Sequence, residues 1–196
     1  PSTTVPVIIS HLDEGDHTIT WRVADSKDVW SNAMTQSFTF TRTSITASMI
    51  TLTPATFEYS AEDITPEVTV ADGESTLLEV EDYDLAISDN HDVGTATVTI
   101  TGKGAYKDTD NATFTITQAP LTVTADDKER HEDDEVSPEL TITYSGWKGS
   151  DDESVLLTAP TIQCAVTADS PMGTYPITVS GGEARNYYLV YVNGTS

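Results

Sequence analysis

The residues able to do chemistry in this chain are four histidines, one cysteine and a large supply of carboxylates. The histidines, His11, His17, His91 and His131, are scattered. A general base needs its partner within hydrogen-bonding reach, and no spacing here supplies one. His17 falls in the register of Ala96 and Tyr175, which makes it a packed strand residue, while His91 and His131 fall in turn-like acidic segments. There is no G-x-S-x-G elbow, Walker loop or H-E-x-x-H pair. The single thiol, Cys164, has no partner within the chain for a disulfide, which leaves the redox compartment undecided. Alternation along Ile162-Gln163-Cys164-Ala165-Val166 puts Ile162, Cys164 and Val166 on one face, so Cys164 reads as a small buried hydrophobe rather than a nucleophile.

The acids number 32 against 9 Lys and Arg, a formal net charge of −23. Such a surface repels nucleic-acid phosphates and anionic lipid heads, and it keeps a protein from self-associating. Close carboxylate pairs then arise by chance, and a glycosidase pair would further need a sugar cleft between its two acids. The acids gather at Asp13-Glu14-Asp16, Glu79-Glu81-Asp82-Asp84, Asp108-Asp110, Asp126-Asp127, Glu132 to Glu135 and Asp151-Asp152-Glu153. Calcium takes six to eight oxygens, and loops between stacked domains can offer them, with Asp108, Asp126 and Asp127 near junctions. None of these spacings matches a known calcium loop. The expectation is therefore no enzyme and no catalytic, cofactor-binding or metal-binding residues, with calcium in the acidic inter-domain loops as the alternative. Trp30, Trp147, Tyr106 and Tyr187 are the aromatics that could stack on a sugar. Trp147 follows Gly146 at a strand end and reads as a core residue, and Trp30 reads as cover for the first hairpin.

The elements that would carry these residues are strands. Thr is roughly one residue in six, and with Val, Ile, Tyr and Phe it suits pleated, half-buried surfaces. Three glycine-led segments recur at a spacing of 79 residues: Gly15-Asp16-His17-Thr18-Ile19-Thr20-Trp21, Gly94 to Ile100 and Gly173 to Val179 (94 − 15 and 173 − 94). In that register Ile19, Val98 and Ile177 share one face with Trp21, Ile100 and Val179, while Thr20, Thr99 and Thr178 face away. Closing strands recur at Ser37–Thr41, Thr113–Thr117 and Leu189–Val192. An earlier pair recurs at Thr65-Pro66-Glu67-Val68-Thr69-Val70 and Ser137-Pro138-Glu139-Leu140-Thr141-Ile142. Turn residues separate the strands at Ala71-Asp72-Gly73, Ser88 to His91, Lys107 to Asn111 and Gly181-Gly182. No helical periodicity and no run of transmembrane length is present.

This pattern predicts an all-β chain of tandem immunoglobulin-like β-sandwich modules arranged end to end. Residues 1–43 hold the C-terminal part of one module, 44–117 a second and 118–196 a third. The junctions, Thr41-Arg42-Thr43-Ser44 and Thr117-Gln118-Ala119-Pro120, are short and lack the Gly and Ser of flexible tethers. A two-stranded hairpin is marginal alone. The first stretch must therefore dock on the second module, pair with another chain, or be completed by Val5 to Ile9.

The third module resembles the MBG (mostly bacterial Ig-like) domains. The residues that carry the likeness are Leu121 to Asp127, Pro138, Tyr144-Ser145-Gly146-Trp147, Gly173-Thr174-Tyr175-Pro176-Ile177, Asn186-Tyr187 and Tyr191 to Thr195. It departs from the family at His131-Glu132-Asp133-Asp134, where an aromatic and glycine turn is usual. The second module resembles a related bacterial surface repeat through Tyr59, Pro66, Asp82-Tyr83, Asn90, Val93 to Ala96, Gly102 to Tyr106 and Phe114-Thr115-Ile116. The first resembles the end of a bacterial immunoglobulin-like domain. The resemblance implies a secreted, bacterial cell-surface protein in which this stretch is a structural or adhesive stalk that spaces or presents other domains. Its partners would be neighbouring domains of the parent chain, with no nucleic acid and no membrane insertion by this stretch. The alternative is an accessory module that binds carbohydrate or a host protein in a polysaccharide-processing surface protein.

Overall fold

The computed structural model describes residues 12–131, 138–167 and 170–196. Among them the regular elements are short strands and two single-turn 3-10 helices, Ala47–Met49 and Glu153–Val155. The all-β expectation holds. Contacts divide the chain into two compact units. One gathers the described residues up to Thr51 with Thr69–Ala86 and Thr99–Asn111; the other comprises Leu52–Val68, Ile87–Val98 and Ala112–Ser196. Two further sheets are present. One has the order Thr56–Glu58, Thr109–Thr117, Gly94–Gly102, Tyr83–Ser88, and the other the order Ile50–Thr53, Glu67–Asp72, Ser75–Thr76.

In the first unit Gly15–Trp21 pairs antiparallel with Met34–Phe40, from Gly15↔Phe40 to Trp21↔Met34. His17 is a packed strand residue here, stacked on its cross-strand neighbour Phe38 with centroids 5.6 Å apart. Trp30 does not cover the hairpin as expected: it is 63% exposed, and Trp21 and Met34 are 43% and 44% exposed. The tie between this hairpin and later residues is polar. Glu14 accepts from the Arg42 backbone N–H at 2.9 Å and from Lys107 Nζ at 3.0 Å. Val5 to Ile9 lie outside the described residues. The buried residues of this unit are Ile45, Ile50, Val70, Leu77, Tyr83 and Ile100.

In the second unit a sheet of order Ile142–Ser145, Ala119–Ala125, Tyr187–Val192 accompanies a sheet of order Thr161–Cys164, Pro176–Ser180, Gly194–Thr195. Val123, Ala125, Ile177 and Val179 form one core cluster, with Leu140, Ile142, Tyr144, Ile162, Cys164 and Leu189 packed against it. Cys164 thus sits where a small apolar side chain is wanted. The central strand shows why the sequence folds this way. Ala119, Leu121, Val123 and Ala125 are buried, while Pro120, Thr122 and Thr124 on the other face are half-buried.

The glycine-led register is real, but its three copies differ in burial. Ala96, Val98 and Ile100 are fully buried, as is Ile177, and Val179 nearly so; Ile19 and Trp21, at equivalent positions, are not. Gly173 precedes its strand, which begins at Pro176. Two expected features shift. Lys107 to Asn111 is a one-residue break at Asp108, whose φ is 64°, between the strands Tyr106–Lys107 and Thr109–Thr117. The repeated segment around Pro138 yields a strand only from Ile142. Its start at Ser137 lies outside the described residues, as do His11 and Glu132 to Glu135.

The difference in burial sets an order of sensitivity. Ile177→Ala and Ile100→Ala should each cost about 2–5 kcal/mol in denaturant unfolding, whereas Trp21→Ala, at the position equivalent to Ile100, should cost under about 1 kcal/mol. The reverse order would show that burial does not set the cost at these equivalent positions.

Candidate functional site

The acidic loops come first, because they were the candidates for cation binding. Most of the described clusters contain acids already engaged in hydrogen bonds or ion pairs within the fold. Asp16 accepts from the Thr39 hydroxyl at 2.6 Å, and Asp82 accepts from the Leu78 N–H at 2.9 Å. Asp84 pairs with Lys103 at 2.7 Å. Asp110 accepts from the Ala47 and Asn111 N–H groups at 2.7 and 2.8 Å. Asp126 accepts from the Thr141 hydroxyl, which holds its carboxyl below the usual carboxylate range. Asp127 accepts from both the N–H and the hydroxyl of Thr195, at 2.6 and 3.0 Å. Asp152 caps the short helix at Ser154 and is likewise lowered by those bonds. Among the described residues no group of three or more His, Cys, Asp or Glu gathers as a metal site. His91 bonds Asp63 at 2.9 Å on an exposed loop, and His131 also has interactions.

Asp151 is different. One of its oxygens, Oδ2, accepts from two phenol hydroxyls, Tyr187 at 2.6 Å and Tyr59 at 3.0 Å. Tyr187 is 36 and Tyr59 92 residues from Asp151, and all three lie within the second unit. The two rings meet edge to face at 5.5 Å, and Trp147 meets Tyr187 edge to face at 5.2 Å. Tyr144 lies tilted against Trp147, with ring centroids 5.5 Å apart. Tyr59 and Tyr187 are 4% and 1% exposed. The Tyr187 oxygen in turn accepts from the Lys148 N–H at 2.9 Å. Burial pushes both phenols above their ordinary value of 10.0, and the hydrogen bond to Asp151 pushes them further. They remain neutral donors, as an acceptor carboxylate requires.

Around this knot runs a second layer. Asn186 donates to Asp92 at 2.8 Å and accepts from the Val93 N–H at 3.1 Å, while its backbone carbonyl accepts from the Ala119 N–H at 3.0 Å. Gln118 donates to the Ala184 and Arg185 carbonyls. Lys148–Glu58 at 2.8 Å and Arg185–Asp92 at 3.0 Å close the rim; being partly exposed, such pairs contribute roughly 0–1 kcal/mol each. Gly149, at φ 53°, packs so tightly that a Cβ there would stand 3.0 Å from the Cβ of Ala61.

The residues on the two sides of this knot come from separate stretches of chain. Residues 58–118 match the bacterial Ig-like domain (group 3), and residues 121–195 match the MBG domain (YGX type). Each stretch is thus similar to a bacterial immunoglobulin-like module. No curated protein and no solved structure matches the chain. The Ig-like module supplies Glu58, Tyr59, Ala61, Asp92 and Val93, and the MBG module supplies Lys148, Gly149, Asp151, Arg185, Asn186 and Tyr187. The site is a joint.

Of the aromatics considered for sugar stacking, Tyr187 and Trp147 are absorbed into this joint. Tyr106 is half-buried in the short strand Tyr106–Lys107, with burial raising its phenol. Trp30 stands exposed. On the last long strand Tyr188, Val190 and Val192 are 41–49% exposed. The pairing of Tyr59 with Asp151 was invisible in the sequence, where Asp151 was one acid in a cluster and Tyr59 one family residue among several.

Replacing Asp151 with Ala leaves two buried phenol hydroxyls short of an acceptor, and should cost about 1–3 kcal/mol in thermal unfolding. Adding Tyr59→Phe and Tyr187→Phe to that variant should cost much less than the same changes in the parent, because the three groups act as one unit. The raised phenols also set a pH dependence. Their contribution is intact below the ordinary phenol value of 10.0 and is lost as pH rises beyond it, since the unfolded chain gives up these protons first. Alkaline denaturation curves should therefore flatten in the Tyr59→Phe, Tyr187→Phe double variant.

Proposed function

We propose that this chain is a non-catalytic spacer from a bacterial extracellular surface protein, holding other domains of the parent chain at a set orientation. The observation that carries the reading is the joint. A spacer must pass orientation from one module to the next, and that requires the connection to be ordered on both sides. A single residue, Gln118, separates the strands Thr109–Thr117 and Ala119–Ala125, and its side-chain amide is itself bonded. The Tyr59–Asp151–Tyr187 knot and the Asn186 bridge add buried and polar contacts on either side. Bacterial immunoglobulin-like modules supply the location in this reading; among the described residues, no helix is long and apolar enough to cross a membrane. The acid-rich surface fits a solvated spacer.

One observation favours a binding role instead. Trp21 and Trp30 are exposed on the first hairpin, and exposed aromatics can stack on a glycan or a host protein. Against it stands their position, because Trp21 shares the register that forms core in the other two copies.

Residual dipolar couplings measured on the whole chain should fit one alignment tensor for residues 58–118 and 121–195 together. Two independent tensors would mean a loose tether and would sink the spacer reading. Glycan arrays probed with the same chain should stay blank, and saturable binding lost in Trp30→Ala would favour the binding role.

A further inference from the structure

The way in which the MBG module is entered and left points to a function under tension. Ala119–Ala125, the first strand of the module, pairs in parallel with Tyr187–Val192, its last long strand. The ladder runs through six pairs, from Ala119↔Tyr187 to Thr124↔Val192. The chain enters at Ala119 and leaves beyond Val192, so the entry and exit points lie at opposite ends of one ladder. Pulling them apart slides the two strands along each other and loads every rung together. An antiparallel terminal pair would put both points at one end, where rungs break singly.

Both ends of the ladder are also fastened. At the entry end the Ala119 N–H donates to the Asn186 carbonyl, and the Gln118 amide donates to the carbonyls of Ala184 and Arg185. At the exit end Asp127 accepts from the Thr195 N–H and hydroxyl, and the Lys128 N–H donates to the Thr195 carbonyl at 2.9 Å. Gly194 allows this crossing, since a Cβ there would collide with the Ala125 carbonyl. The sliding strand is the central one of its sheet, with four side chains buried. The Ig-like module repeats the arrangement in reduced form. Its strand Thr56–Glu58 lies parallel to the end of Thr109–Thr117 over three pairs, and Thr43–Ser44 lies parallel to Tyr106–Lys107 over two, so neither parallel ladder there reaches six.

We infer that the MBG module is a shear clamp, built to stay folded when the chain is pulled along its length, and that the Ig-like module is the weaker link that yields first. The use of this property in the cell rests on the spacer reading; the mechanics do not.

Single-molecule force spectroscopy on the whole chain, held at its two ends, tests this. Two unfolding events should appear, and Ile100→Ala should lower only the weaker, marking it as the Ig-like module. Asp127→Ala should lower only the stronger, with far-UV circular dichroism confirming the fold. Independently of any weakened variant, moving the handles to Thr124→Cys and Val192→Cys in a Cys164→Ala chain pulls across one rung. The MBG module should then open at a force roughly two-fold lower or less, because rungs break in turn rather than together. A force that does not depend on handle position, or an Ig-like module that outlasts the MBG module, overturns the clamp. A chain that proves to bind a glycan would sink the spacer reading yet leave the order of forces unchanged.

Discussion

The arrangement of the second unit depends on one carboxylate oxygen. Asp151 Oδ2 accepts two phenol hydroxyls that belong to different modules. A buried hydroxyl without an acceptor costs far more than a made bond contributes, so Tyr59 and Tyr187 can be buried together only if something receives both protons. Once Asp151 does so, the rings settle edge to face, Trp147 closes over Tyr187, and Gly149 can approach Ala61. The rim ion pairs contribute little beside this. The packing around Asp151 within the second unit is set by a polar requirement inside an aromatic cluster.

The same logic accounts for the acidic surface. A net charge of −23 suggested cation sites in the loops. Many of those acids instead accept hydrogen bonds from nearby backbone N–H groups and Thr hydroxyls, as at Asp110, Asp127 and Asp152. In a fold made of short strands, many N–H groups are left unmatched by a ladder, and a carboxylate brought close by the fold is a strong acceptor. The composition is thus partly a consequence of having many turns.

What was legible in the sequence was periodic or local. The alternation in Gly94–Gly102 and Ala119–Ala125 announced strands with one buried face, and the 79-residue spacing announced repetition. Cys164 and His17 were correctly placed because the two-residue period decides their faces. What was not legible involved long separations or missing cover. Tyr59 and Asp151 are joined across 92 residues, and no local rule selects that acid among 32. Trp30 was taken for a lid because a large aromatic ordinarily finds one, yet it lies 63% exposed. The run from Lys107 to Asn111 looked like a turn by composition, but a single left-handed residue at Asp108 suffices to break the strand.

The division of the joint's parts between neighbours has a consequence for how such chains diversify. Half of each bond at the boundary is encoded upstream of Gln118 and half downstream. An MBG module transplanted behind an unrelated neighbour would carry Asp151 and Asn186 without the tyrosine and aspartate that answer them. Such a transplant would leave buried hydrogen-bonding groups without their partners, at a cost in stability.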